Sequence, residues 1–255
     1  MSMDRGHPAA GDAVGGQMRH DPVQLSELAA QLSDLARSLE QEDDLQATLD
    51  AIVVAAVGTV PGAQHASISM VKDRRTVTTR SSTGELPRGT DQAQYEAGEG
   101  PCLETLYEQH SVQVPDMAGE KRWPEFSRRA TALGAGSMLC VQLFVEGDNL
   151  GALNLLSESP HAFDDPAEHV AMLFATHAAV AIVGAEKEAQ LRDALARRDI
   201  IGQAMGIVME RYGLSSKRSF AVLTRLSQHN NRKLHELASD IIETRALPSA
   251  APADG

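Results

Sequence analysis

The chain is poor in aromatic residues, with one Trp, three Tyr and five Phe in 255 positions. Stacking platforms for nucleic-acid bases must therefore be few. It has two cysteines, Cys102 and Cys140, and no Cys-x-x-Cys pair. That suits a reducing compartment and argues against a structural zinc site. No unbroken apolar run reaches the roughly 18–20 residues of a membrane span. The N-terminal MSMDRGHPAAG lacks the apolar stretch of a signal peptide. The expected location is the cytoplasm, with no membrane contact. No Ser/His/Asp arrangement, phosphate-cradling glycine loop or paired carboxylate site stands out. The histidines are scattered; His169 and His177 share a helix face but lie two turns apart, too far for one metal ion. These absences predict no catalytic residues, no metal and no cofactor, hence a protein that is not an enzyme.

Positive charge is also scarce, and where it occurs is informative. The chain carries a net charge of −12. Between Arg197 and Arg245, nine Lys/Arg face five Asp/Glu, a net of +4. A basic module on an acidic chain points to a polyanionic partner. Its sequence reads as three short helices. The first stops at Gly213, a residue suited to the left-handed C′ position. Ser215 or Ser216 caps the second, where Phe220, Leu223 and Leu226 recur at spacings of three. Asn230 or Asn231 caps the third, where Leu234, Leu237, Ala238 and Ile241 form one apolar stripe. Such helices bury their faces against one another.

Upstream, residues 1–20 are rich in Gly, Ala and Asp and are expected to be disordered. A helix is predicted over 21–41, where Leu25, Leu28, Leu32, Leu35 and Leu39 make a narrow dimer seam. A second helix carries Leu45, Leu49, Ile52, Val53, Ala56 and Val60 on one side. The period then changes to two. HASISM (65–70) alternates Ala66, Ile68 and Met70 against His65, Ser67 and Ser69, reading as a half-buried strand that pairs with 75–80. Residues 84–100 read as a polar loop, followed by a short helix from Pro101, a strand at 111–114 and a helix from 122 to Gly134. Two strands, 137–145 and 150–156, form a hairpin, the first apolar on both faces and so central. A helix capped by Asp165 then runs without a clear break to Tyr212. Leu191, Ala194, Ile201, Met205 and Val208 fall on its heptad positions, with Arg198 among them.

The RRDIIGQAMGIVMER (197–211), SFAVLTRLS (219–227) and NRKL (231–234) blocks resemble the ANTAR domain, the RNA-binding module of antitermination regulators. Met205 stands where that family often has Lys, and Ser219 where it usually has Ala. Residues 43–183 resemble a GAF domain, a signal-sensing module, through GEGPC (98–102), RWP (122–124), GALNLLS (151–157) and AF (162–163). The three-cysteine pattern of GAF domains that reduce free methionine sulfoxide is absent.

The predicted architecture is α+β. An antiparallel sheet flanked by helices (43–183) is joined through a helical linker or coiled coil (184–197) to a C-terminal three-helix bundle (195–247), with a disordered tail at 248–255. The resemblance implies a homodimeric regulator that binds RNA hairpins in nascent transcripts and answers an unknown small-molecule or protein signal. Arg198, Lys217, Arg218, Arg225, Arg232 and Lys233 would contact phosphates. Gln203 would read base edges, and the small Ala204 and Gly206 would let an RNA loop approach. Cys102, Met138, Cys140 and Gln142 are candidates to line a sensor pocket. Gln142 is either its polar contact or a core side chain satisfied by water. Cys102 is either a reactive thiol at a helix start or a packed hydrophobe. Two other readings remain open: a protein-docking bundle in a signalling pathway, and a DNA-binding regulator.

Overall fold

The computed structural model describes residue 37 and residues 44–72, 76–107, 110–145 and 148–247. The leucine seam at 25–39 (Arg37 apart) and the tails 1–20 and 248–255 lie outside the described residues.

The first helix, α1 (Leu45–Thr59), starts where the Asp44 carboxylate accepts a hydrogen bond from the Ala47 amide. Leu49, Ile52, Val53 and Ala56 form its buried stripe, as their spacing predicts. Strands β1 (His65–Lys72) and β2 (Thr76–Ser82) pair as an antiparallel hairpin. Helices α2 (Glu85–Ala97) and α3 (Pro101–Tyr107) follow, then β3 (Ser111–Val114) and α4 (Pro124–Leu133). The hairpin β4 (Ser137–Val145) and β5 (Asp148–Ser157) completes a five-stranded sheet in the order β2-β1-β5-β4-β3, with every pairing antiparallel. The central strand is β5, not β4. Strand β4 is nevertheless interior, which is why both its faces are apolar.

Both faces of the sheet are covered. One carries Ile68, Leu139, Val141, Leu153 and Leu155 against α1 and the long helix α5 (Asp165–Tyr212). The other carries Met138, Cys140, Ala152 and Leu156 against Cys102, Leu106, Trp123 and Phe126. Strand β1 is therefore not half-buried: Ser67 and Ser69 are as inaccessible as Ala66 and Ile68. The two serines face α2, where a polar loop was expected. The buried face of α2 is Pro87, Thr90, Asp91, Ala93 and Gln94, so it shows no apolar period to mark a helix.

Helix α5 starts one residue earlier than predicted, with Asp164 as its cap, accepting from the Ala167 amide, and Pro166 in its first turn. It then runs unbroken for 48 residues to the left-handed Gly213. Phe174, Ala178 and Ile182 belong to the sheet-side core, while Ala204 and Val208 belong to a second core. One window of this helix is apolar enough to cross a membrane by length and composition, and 39% of that window is buried within the protein. The second core is completed by Leu223 of α6 (Ser216–His229) and by Leu237, Ala238 and Ile241 of α7 (Leu234–Thr244). The cap of α7 is Lys233. Asn230 instead ends α6, and Asn231 takes the left-handed conformation of the turn.

Candidate nucleic-acid interface and sensor pocket

The cations of the C-terminal bundle are displayed outward. Arg198, Lys217, Arg218, Arg225, Arg232 and Lys233 are all exposed. Arg232 pairs with Asp240, whose hydrogen bond raises the guanidinium pKa further. The other five form no ion pair among the described residues. Ser215 occupies the N-cap of α6 and Lys233 that of α7, and neither N-terminus receives a side-chain capping bond. Lys217, Arg218 and Lys233 thus stand beside open backbone N–H groups. The helix dipole disfavours cations there, and an arriving phosphate relieves both the repulsion and the uncapped amides.

Two grooves open along this end of α5. The first, of about 790 Å³, is lined by Arg197, Arg198, Asp199, Gln203, Met205 and Phe220, among others. The second, of about 740 Å³, is lined by Gln203, Gly206, Ile207, Glu210, Arg211 and Arg245, with Ile242. Gln203 borders both. Gly206 is exposed, and a Cβ there would meet nothing within 4 Å. Ala204 is different. It is fully buried against the other helices, one turn from Val208 on the same face, so it packs the bundle and cannot touch RNA. Arg225 lies on another groove with Val222 and His229. Sequence reasoning placed Phe220 in the core, but it is 46% exposed, whereas Leu223 is fully buried.

On the sensor side, Cys102, Met138 and Cys140 are fully buried in one apolar cluster. Gln142 lies apart, half-buried, with its Oε1 3.0 Å from His110 Nδ1. Burial pushes the Cys102 thiol up to about 12, and the neighbouring Asp91 adds to the shift. The thiol therefore stays protonated at neutral pH, and the helix start does not make it a thiolate.

Beside Cys102 lies a polar cluster that sequence reasoning missed. Asp91 is fully buried. Its carboxylate accepts from Thr79 Oγ1 at 2.8 Å and Asn154 Nδ2 at 2.9 Å, with Ser69 Oγ at 3.5 Å. Tyr95 extends the chain, its hydroxyl 2.6 Å from Ser69 Oγ. No ion pair to Asp91 is found among the described residues. Desolvation raises its pKa to about 6, against the hydrogen bonds that lower it. Two further polar atoms, Asn154 Oδ1 and Gln94 Nε2, the latter one turn along α2 from Asp91, are buried without a partner among the described residues. Gly100 packs against the Gln94 side chain. With φ at +140°, it leaves room for the Gln94 side chain, whose Oε1 accepts from the Cys102 amide at 2.7 Å. A Cβ at Gly100 would lie 2.5 Å from that Oε1, which explains the second glycine of GEGPC.

The GAF domain family model matches residues 42–183, more than half of the sequence. The chain belongs to the GAF family. The ANTAR domain family model matches residues 189–242. No curated protein matches the chain. Among solved structures, a domain of a sensor histidine kinase protein from Sinorhizobium meliloti 1021 is 19% identical, with a TM-score of 0.50 over 59% of this chain and 99% of that one. The GAF domain of a phosphoenolpyruvate-protein phosphotransferase from Coxiella burnetii is 18% identical, at 0.50 over 65% and 98%. A free methionine-R-sulfoxide reductase from Neisseria meningitidis is 17% identical, at 0.51 over 71% and 97%. These likenesses establish the fold alone.

GAF domains are signal-sensing modules, and ANTAR domains are RNA-binding modules of antitermination. In this chain the two share α5. The GAF match ends at residue 183 and the ANTAR match begins at 189, both inside that helix. The Asp91 cluster lies within the GAF domain, and the unpaired cations other than Arg198 lie on the ANTAR domain's last two helices and the turn between them.

Proposed function

We propose that this protein is a signal-responsive RNA-binding regulator that acts by antitermination, holding hairpins of nascent transcripts, and that it performs no catalysis of its own. The observation that carries this reading is the set of five exposed, unpaired cations on the ANTAR domain: Arg198, Lys217, Arg218, Arg225 and Lys233. Folded RNA neutralises such a surface without desolvating it, and hairpin loops display the base edges that an A-form duplex hides. The GAF domain supplies the input. Its buried Asp91, with Asn154 Oδ1 and Gln94 Nε2 beside it unpartnered among the described residues, has the chemistry of a small polar ligand site. Because α5 contributes side chains to both cores, a shift of α5 against the sheet moves the ANTAR helices directly.

The working unit is a homodimer paired along α5. Leu173, Val180 and Leu191 are 48%, 60% and 62% exposed. At about 100° per residue they fall within about 20° of one another on the helix surface. An apolar line of this kind, on a helix whose 191–199 segment is exposed at every residue, fits a second copy of the same helix.

Gel shifts with short hairpin RNAs across a salt series test the reading. The expected result is hairpin binding that weakens steeply with salt and exceeds binding to duplex DNA of equal length. Failure to bind any hairpin at low salt by dimeric protein overturns it, and preference for duplex DNA favours the DNA-binding alternative.

A further inference from the structure

The first groove on the ANTAR domain has a composition that general phosphate binding does not explain. Its wall on α6 is Phe220, the largest apolar side chain of a bundle whose buried core is otherwise Ala204, Val208, Leu223, Leu237, Ala238 and Ile241. Those residues pack inward, while Phe220 stays 46% exposed. Opposite it stand Arg198, Gly202, Gln203 and Met205 of α5. A Cβ at Gly202 would meet nothing within 4 Å, so the floor is open. Asp199 lies in the same groove. A carboxylate there repels a phosphate but accepts hydrogen bonds from the amino group of a base.

We propose that this groove takes a single unstacked nucleobase from an RNA loop, with Phe220 as its stacking face. The roles follow from the chemistry. Phe220 and Met205 offer an apolar slot that fits any base plane. Gln203 and Asp199 meet the base edge, and Asp199 favours a base with an exocyclic amino group over uracil. Arg198, which lines the groove and forms no ion pair among the described residues, and Lys217, about one turn before Phe220 on α6, hold the flanking phosphates. The second groove has Gln203 and two arginines but no aromatic side chain. The two grooves are therefore not equivalent, and the base belongs in the first. This inference rests on the RNA-binding reading and adds which contact reads the loop.

The test uses the full-length protein. Short hairpins with fully randomised loops are selected on it, and the best binder is walked with single abasic substitutions. One loop position is expected to lose about tenfold or more in Kd when abasic. Phe220→Ala should cost a similar factor on the intact hairpin and almost nothing on the abasic one, so the two losses are not additive. Phe220→Trp should retain tight binding. Phe220→Leu keeps apolar bulk and the helix, yet should behave like Phe220→Ala. Because Phe220 is half out of the core, thermal unfolding should change little in any of these variants, which separates lost stacking from lost folding. Asp199→Asn should shrink the discrimination against uracil at the same position. If the wild-type protein selects no hairpin, the RNA reading fails and the base slot fails with it. If it binds a hairpin but Phe220→Ala binds equally well, or the abasic and Phe220 losses simply add, RNA binding stands and the base slot is overturned. Phe220 then serves as an apolar contact for another protein.

Discussion

Around Asp91, a single carboxylate is enclosed by neutral hydroxyl and amide groups, with no cation paired to it among the described residues. On the ANTAR helices, Arg198, Lys217, Arg218, Arg225 and Lys233 stand in water with no carboxylate paired to them among the described residues. The two regions share α5 yet treat charge in opposite ways. Burying an unpaired charge costs stability unless a proton or a ligand compensates it, so the GAF site is built to change state. Exposing charge costs little, so the ANTAR surface needs no conformational preparation and responds to salt. The long helix contributes side chains to the cores of both regions.

The largest test of this contrast asks whether the two cores are separate. Phe174 is fully buried on α5 in the GAF core. Phe174→Ala should cost about 3–5 kcal/mol there. Calorimetry should show the GAF transition falling while a second transition, and hairpin binding at low salt, persist. If both transitions fall together, the cores form one cooperative unit and the contrast between them is lost.

Next in size is the pH response. Burial raises the folded Asp91 carboxyl to about 6, from an ordinary carboxylate value of about 3.9. Folding therefore favours the protonated acid. Its contribution is fully present below about pH 4 and is lost as pH rises through 6. By linkage, that difference between the folded and unfolded carboxyl corresponds to roughly 3 kcal/mol as an upper bound. Asp91→Asn should flatten the decline in GAF stability between pH 4 and 7, read by chemical denaturation at each pH. An unchanged profile would show that the carboxylate is compensated by something other than its neutral neighbours.

Charge reversal on the other region comes third. Replacing Lys217, Arg218 and Lys233 with Glu should weaken hairpin binding by about 100-fold, close to 2.7 kcal/mol. It should also reduce the slope of log K against log salt by about 2 for three lost contacts. Because these side chains are exposed at helix N-termini, where the dipole favours Glu over a cation, the bundle should unfold no more easily than before. An unchanged salt slope would mean that the bundle docks something through its apolar surface instead.

What the sequence made legible follows from the same contrast. Elements that bury apolar faces announced themselves: Leu49, Ile52, Val53 and Ala56 on α1, the two apolar faces of β4, and Leu237, Ala238 and Ile241 on α7. The cations were legible as a local excess of positive charge on an acidic chain, and the structure displays all six outward, with Arg232 paired to Asp240. Helix α2 was not legible, because Thr90, Asp91 and Gln94 are buried for their polarity and leave no hydrophobic period. The Asp91 cluster went unseen for that reason: its members come from β1, β2, α2 and β5, and only the fold brings them together. Phe220 and Ala204 were misplaced in opposite directions. A large apolar residue reads as core and a small one as permissive surface, but the bundle is narrow. Ala204 is what lets its helices meet, and Phe220 is left outside.

Gly206 offers the smallest and most discriminating test. It lies inside α5, is exposed, and has open space where a Cβ would go. A glycine in a helix interior costs about 1 kcal/mol relative to Ala, and nothing in the folded chain requires it. Gly206→Ala should therefore stabilise the ANTAR bundle by roughly 0.5–1 kcal/mol. If RNA backbone approaches α5 beside Gln203, the added methyl group should weaken hairpin binding by a few-fold despite the gain in stability. Opposite signs in the two measurements would identify the glycine as a residue kept for its partner. Equal or tighter binding by the stabilised variant would show that RNA stays away from this turn of the helix, leaving the groove at Phe220 as the place where the loop is read.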